Sequence, residues 1–175
     1  MDVGCGMPYV SVLTPEWQVS ATGLTLLDGE FIVRIPVAVD EETKAVLSVF
    51  VCLSPEPGFA PDGYELVFNL VESGGDDDDR YFSDGRETRR LISDPVQRAM
   101  ILRVICEAVS MVLSKAQPRR ITMMTMQPNL PDKALTKYDC LAMVMTSKGY
   151  IGGRCDPYQG LRIWIFENGK ALECP

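Results

Sequence analysis

The sequence predicts an α+β domain spanning residues 1–175, with one mixed, mostly antiparallel sheet and two main helices in the order β-β-β-α-β-α-β-β. Three observations predict it. Phe31, Val33, Ile35, Val37 and Val39 recur at period two, the spacing that places every apolar side chain on one face of a strand. Two later segments, each begun by a proline with a capping or acidic neighbour, carry apolar residues at helical spacing. No linker or internal repeat separates these parts, so they should share one core.

Tyr9 to Leu13 alternates weakly and is expected to form a first strand. Residues 29–53, GEFIVRIPVAVDEETKAVLSVFVCL, read as an antiparallel hairpin that turns at DEETK. Pro36 has no N–H to donate, which predicts an edge or a bulge there. Three prolines and two glycines make residues 54–63 a loop, and Tyr64 to Glu72 a third strand.

The next helix has a marked start. Ser93 or Asp94 can cap it, and Pro95 suits its first turn. Its apolar residues run nearly all round, interrupted by Arg98, Arg103 and Glu107, the pattern of a buried central helix. Pro118 closes it, and Arg119 to Gln127 reads as a buried strand. Pro131 and Asp132 open a second helix, whose inner stripe is Ala134, Tyr138, Leu141 and Met145 and which ends at Lys148–Gly149. Strands near residues 150–155 and 161–167 follow around DPYQG, and ENGK offers one more turn. Seven of the nine methionines lie between Met100 and Met145, where core filling is their expected role.

Composition excludes more than it assigns. Apolar residues at 46% and charged ones at 23% describe an ordinary folded globule. The longest strongly apolar run, Val49 to Leu53, is far too short to span a bilayer, so no membrane role is expected. The MDVGCGMPYV start shows no secretory signal, which points to the cytoplasm. Cys5, Cys52, Cys106, Cys140, Cys155 and Cys174 are widely spaced without a C-x-x-C pair, so reduced structural thiols are expected. The sequence has no histidine. That removes Ser-His-Asp and Cys-His nucleophile activation and H-E-x-x-H zinc chemistry. A zinc site would need four thiolates, which this spacing does not suggest, so no metal and no cofactor are expected.

Charge is unevenly divided along the chain. Residues 1–79 hold two basic residues against fifteen acidic ones, a balance of −13, while residues 80–175 carry +6. The acidic portion disfavours nucleic acid. The two portions could complement each other within the fold or across a homodimer. The densest charge lies in ESGGDDDDRYFSDGRETRR, residues 72–90. Its consecutive acids lack the alternating ligand pattern of a calcium loop. The simplest reading is a long solvated hairpin turn. A second reading offers Asp76, Asp77, Asp78 and Asp79 to a basic protein surface, and Arg86, Arg89 and Arg90 to an anionic one.

From residue 30 onward the element order resembles the core of the GNAT acetyltransferase superfamily. Asn129, Ala134 and Tyr138 are similar to that family's segment of N, two residues, A, three residues, Y, with two extra residues after Asn129. The resemblance implies that Tyr138 is a general acid toward the coenzyme A thiolate. The chain departs from the family at the pyrophosphate loop, Q/R-x-x-G-x-G/A, where DGRETRRLISDPVQRA lacks the paired glycines. Asp94 and Pro95 then add a negative charge and delete a donor at the helix mouth.

These readings favour a small cytoplasmic, non-catalytic protein that binds another macromolecule, a protein above all, in the style of small phage or mobile-element proteins. Two alternatives stay open. One is a divergent acyltransferase using Tyr138 with Asn129; the other is a binder of phosphate ligands through Arg86, Arg89 and Arg90.

Overall fold

The computed structural model describes residues 9–18, 23–59, 61–74, 77–83 and 85–171, the side chains of Asp77, Asp78 and Ala171 aside. Its strands are β1 (Tyr9–Ser11), β2 (Leu24–Leu27), β3 (Glu30–Asp40), β4 (Val46–Pro55), β5 (Gly63–Gly74), β6 (Asp77–Phe82), β7 (Arg120–Met124), β8 (Tyr150–Arg154) and β9 (Ile163–Asn168). The helices are α1 (Gly85–Leu91), α2 (Pro95–Ala116) and α3 (Asp132–Ser147). One sheet runs β1-β3-β4-β5-β7-β9-β8, with β2 also on β3 and β6 also on β5. The fold is α+β with a mixed, mostly antiparallel sheet, as the sequence predicts; β5 with β7 is its parallel pair.

Alternation builds the central hairpin. Val33, Ile35, Val49, Val51 and Leu53 point to one face and are buried, joined there by Leu66, Leu70, Ile121, Met123, Trp164 and Phe166. The β3–β4 register shifts between Pro36 and Ala38. Pro36 therefore sits at a bulge, between the residues of β3 that pair with β2 and those that pair with β1. A strand can tolerate its missing donor at such a place.

Helices α2 and α3 cover this apolar face. Asp94 is the N-cap of α2, its carboxylate accepting the Val96 N–H at 2.9 Å, and Pro95 is the first helical residue. The buried side of α2 is Ile101, Val104, Ile105, Ala108, Val109, Val112 and Leu113, whereas Val96 is exposed. The helix is thus buried along one face rather than all round. In α3 the inner stripe is Leu135, Tyr138, Leu141 and Met145, with Leu135 taking the place expected of Ala134. The methionines divide: Met123 and Met145 are fully buried, while Met126 and Met143 are exposed.

Three described elements go beyond the predicted layout. Strand β2 is mostly exposed, β6 pairs with the end of β5, and α1 buries no residue. Among the described residues no helix is long and apolar enough to cross a membrane.

Candidate functional site

The parallel pair leaves a discontinuity in the sheet. Residues 63–66 of β5 pair with residues 120–123 of β7, while residues 70–74 pair with β6 on the same edge. Between them, residues 67–69 have no strand neighbour on that edge among the described residues, while β4 holds the other edge. A gap at the carboxyl end of parallel strands is a usual place for a ligand.

Here the gap is filled by the chain itself. Phe68 projects from the unpaired stretch, and Tyr138 of α3 meets its ring at 5.3 Å, edge-on. Tyr138 also stacks on Trp164 of β9, with centroids 4.9 Å apart and planes 6° from parallel. The Lys137 ammonium lies 5.4 Å and 5.2 Å from the Phe68 and Tyr138 rings and donates to the Ser83 carbonyl at 3.0 Å. Tyr138 is only 3% exposed. Burial pushes its phenol up to about 12, partly offset by the Met126 backbone amide that hydrogen-bonds its oxygen. Asn129 has a different task. It adopts φ 55°, and its N–H donates to the Gly160 carbonyl at 2.9 Å, tying the β7–α3 loop to the β8–β9 loop.

The mouth of α2 is likewise occupied from within. Asp94 takes a first-turn N–H, and Pro95 offers none. The Arg98 guanidinium folds back to the carbonyls of Ile92, at 2.9 Å, and Ser93. A diphosphate approaching this end meets a carboxylate and few free donors.

The acidic run is a hairpin, but its acids belong mainly to a strand. Asp77 opens β6 opposite Gly74, and Tyr81 faces Val71. Asp76 lies outside the described residues, and the side chains of Asp77 and Asp78 are not described. Asp79 is taken by Arg34 of β3 in a two-pronged pair, at 2.9 and 3.3 Å. Arg80 lies 3.8 Å from Glu72. Arg86, Arg89 and Arg90 stand exposed on α1. The sequence neighbours of the run are therefore distributed over two separate elements.

Sequence reasoning missed a further group. Ser54 pairs across the sheet with Glu65, and Glu65 with Thr122, on the face opposite the helices. Ser54 donates to Glu30 at 2.6 Å, and Thr122 to Glu56 at 2.8 Å. Burial, and then Glu56, hold the Glu65 carboxyl above the usual range. Burial, followed by Glu30 and Glu65, pushes the Cys52 thiol up to about 11. The signal available was the period-two complement of the buried set. It marks which residues share this face but not how close their carboxylates come. Among the described residues no three potential ligands are placed to hold a metal ion.

No protein-family model, no curated protein and no solved structure matches this chain.

Proposed function

We propose that this is a cytoplasmic, non-catalytic module that works by binding another protein. The observation that carries the reading is the uneven division of charge among the elements of the fold. Strands β1 to β5, with the turns between them, come from the portion of balance −13; all three helices and β7 to β9 come from the portion of +6. Two ion pairs among those the structure shows join the two portions, Arg119–Asp62 at 3.9 Å and Arg80–Glu72 at 3.8 Å, each with at least one well-exposed partner. Such a pair contributes at most about 1 kcal/mol. Pairs this weak leave the excess of acidic charge to attract an outside partner, and complementary charge favours encounter and correct orientation. The filled gap at Tyr138 and the self-capped α2 support a surface role over an internal site.

Affinity capture from extracts of the source cells, followed by reconstitution from purified components, tests this. A stoichiometric complex is expected; failure of every captured candidate to rebind in purified form would overturn the reading.

The acyltransferase reading keeps one supporting observation. Tyr138 stands where β5 and β7 part, and its phenol is held protonated at neutral pH, as an acid must be. Its burial beneath Lys137 and Phe68 weighs against a thiolate reaching it.

A further inference from the structure

We propose that the partner docks on the helix-free face of the acidic half-sheet, and that it brings a basic segment carrying an apolar residue between lysines or arginines. This rests on the binding reading above and names its surface and the chemistry of its partner.

The cross-strand register lays this face out in rows. Glu65 lies level with Ser54 and Thr122, and hydrogen bonds from those hydroxyls bring in Glu30 and Glu56. Three carboxylates therefore gather at one end. The next row is Ile32, Cys52 and Val67, and the one after it Arg34, Phe50 and Asn69. Ile32, Phe50 and Val67 are each only partly buried, although they sit in the middle of the sheet. At the far end Tyr81 of β6 is exposed and meets Phe50 edge-on, with centroids 6.0 Å apart. There too Arg34 is neutralised by Asp79.

The face is thus an apolar strip with carboxylates at one end and the aspartate-bearing strand β6 at the other. Its charge selects the occupant. Of the basic residues on this face, Arg34 is already paired with Asp79, and Arg120 of β7, two residues from Thr122, lies 4.2 Å over the Phe59 ring. Nucleic acid would meet like charge here. A lysine or arginine near Glu65 would relieve the repulsion between Glu65 and Glu56, while an apolar neighbour covers Ile32 and Val67. A second copy of this chain, presenting its basic portion, is the competing occupant.

The test uses the full chain and a synthetic peptide of alternating lysine and leucine, followed by fluorescence anisotropy at physiological salt. The variant E30Q/E65Q keeps the Ser54 hydrogen-bond acceptor and removes two charges from the face. The control E41Q/E42Q removes the same charge from the exposed β3–β4 turn. The face variant is expected to bind the peptide about tenfold more weakly, and the control within about twofold of the parent chain. Equal weakening in both would reduce the effect to bulk charge and overturn the proposal. So would absence of binding by the parent chain, or self-association in sedimentation that E30Q/E65Q abolishes. A reconstituted partner that binds E30Q/E65Q undiminished would sink this surface but leave the binding function standing. Discrimination of the peptide without any reconstitutable partner would sink the binding function but not the surface.

Discussion

Replacing Tyr138 by alanine should remove the wedge that fills the gap between β5 and β7. The ring is buried, stacked on Trp164 and edge-on to Phe68. Truncating a buried aromatic side chain costs about 3–5 kcal/mol in lost transfer energy and cavity formation. Each aromatic contact adds about 0.5–1.5 kcal/mol beyond the area it buries. These ranges overlap in practice, so a loss on the order of 5 kcal/mol is expected, close to the whole stability of a marginal domain. Tyr138→Phe keeps the ring and gives up only the hydrogen bond from the Met126 amide, at about 1 kcal/mol. Urea unfolding followed by tryptophan fluorescence, with Trp164 against the deleted ring, separates the two. A loss below about 1.5 kcal/mol for Y138A would refute the wedge, since that lies within the ordinary range for single substitutions. A loss for Y138F equal to that of Y138A would show that the hydroxyl, not the ring, carries the site.

Gly152 lies at φ 151°, and a Cβ there would fall 2.1 Å from the Ile165 carbonyl oxygen, whereas Gly153 has open space. Gly152→Ala should therefore cost at least about 2 kcal/mol in urea unfolding and Gly153→Ala less than about 0.5 kcal/mol. Asp94→Ala removes the α2 cap and should lower stability by about 1 kcal/mol, read from the shift in the urea midpoint. Tyr138 and Tyr150 are both pushed up to about 12 by burial. Below the ordinary tyrosine value near 10 their contribution is complete; between roughly pH 10 and 12 the unfolded chain releases these protons first, and stability should fall by roughly 2–3 kcal/mol per residue. Measuring unfolding across that window checks the sign, and Tyr150→Phe should flatten the slope.

The parts of the fold legible in the sequence are those whose signals are local. Alternation from Phe31 to Val39 specified a strand with one buried face, and the missing donor of Pro36 announced the bulge. Asp94 and Pro95 marked the start of α2 because a cap and a donor-free first residue answer the same local need. Strand β6 was not legible, because DDDRYF has the composition of a solvated turn and becomes a strand only through the backbone ladder it makes with β5. Helix α1 gave little signal because it buries nothing, so no apolar period exists to read. The candidate site was legible only in pieces. Tyr138 was singled out, but its stacking on Trp164 depends on β9 entering between β7 and β8, a long-range arrangement that no window reveals. The carboxylates of Glu30, Glu56 and Glu65 lie on three segments, and only cross-strand register brings them together.

The proposal that this protein works through its surface rather than through a coenzyme site at Tyr138 and the α2 mouth is tested most directly by titration calorimetry with acetyl-coenzyme A. The gap between β5 and β7 is filled by Phe68, Tyr138 and Lys137, and the α2 mouth by Asp94 and Arg98. The account predicts no measurable heat. A dissociation constant below about 10 μM, equivalent to roughly 7 kcal/mol of binding energy, and weakened by replacing Arg89 and Arg90, would contradict it and restore Tyr138 as a working acid.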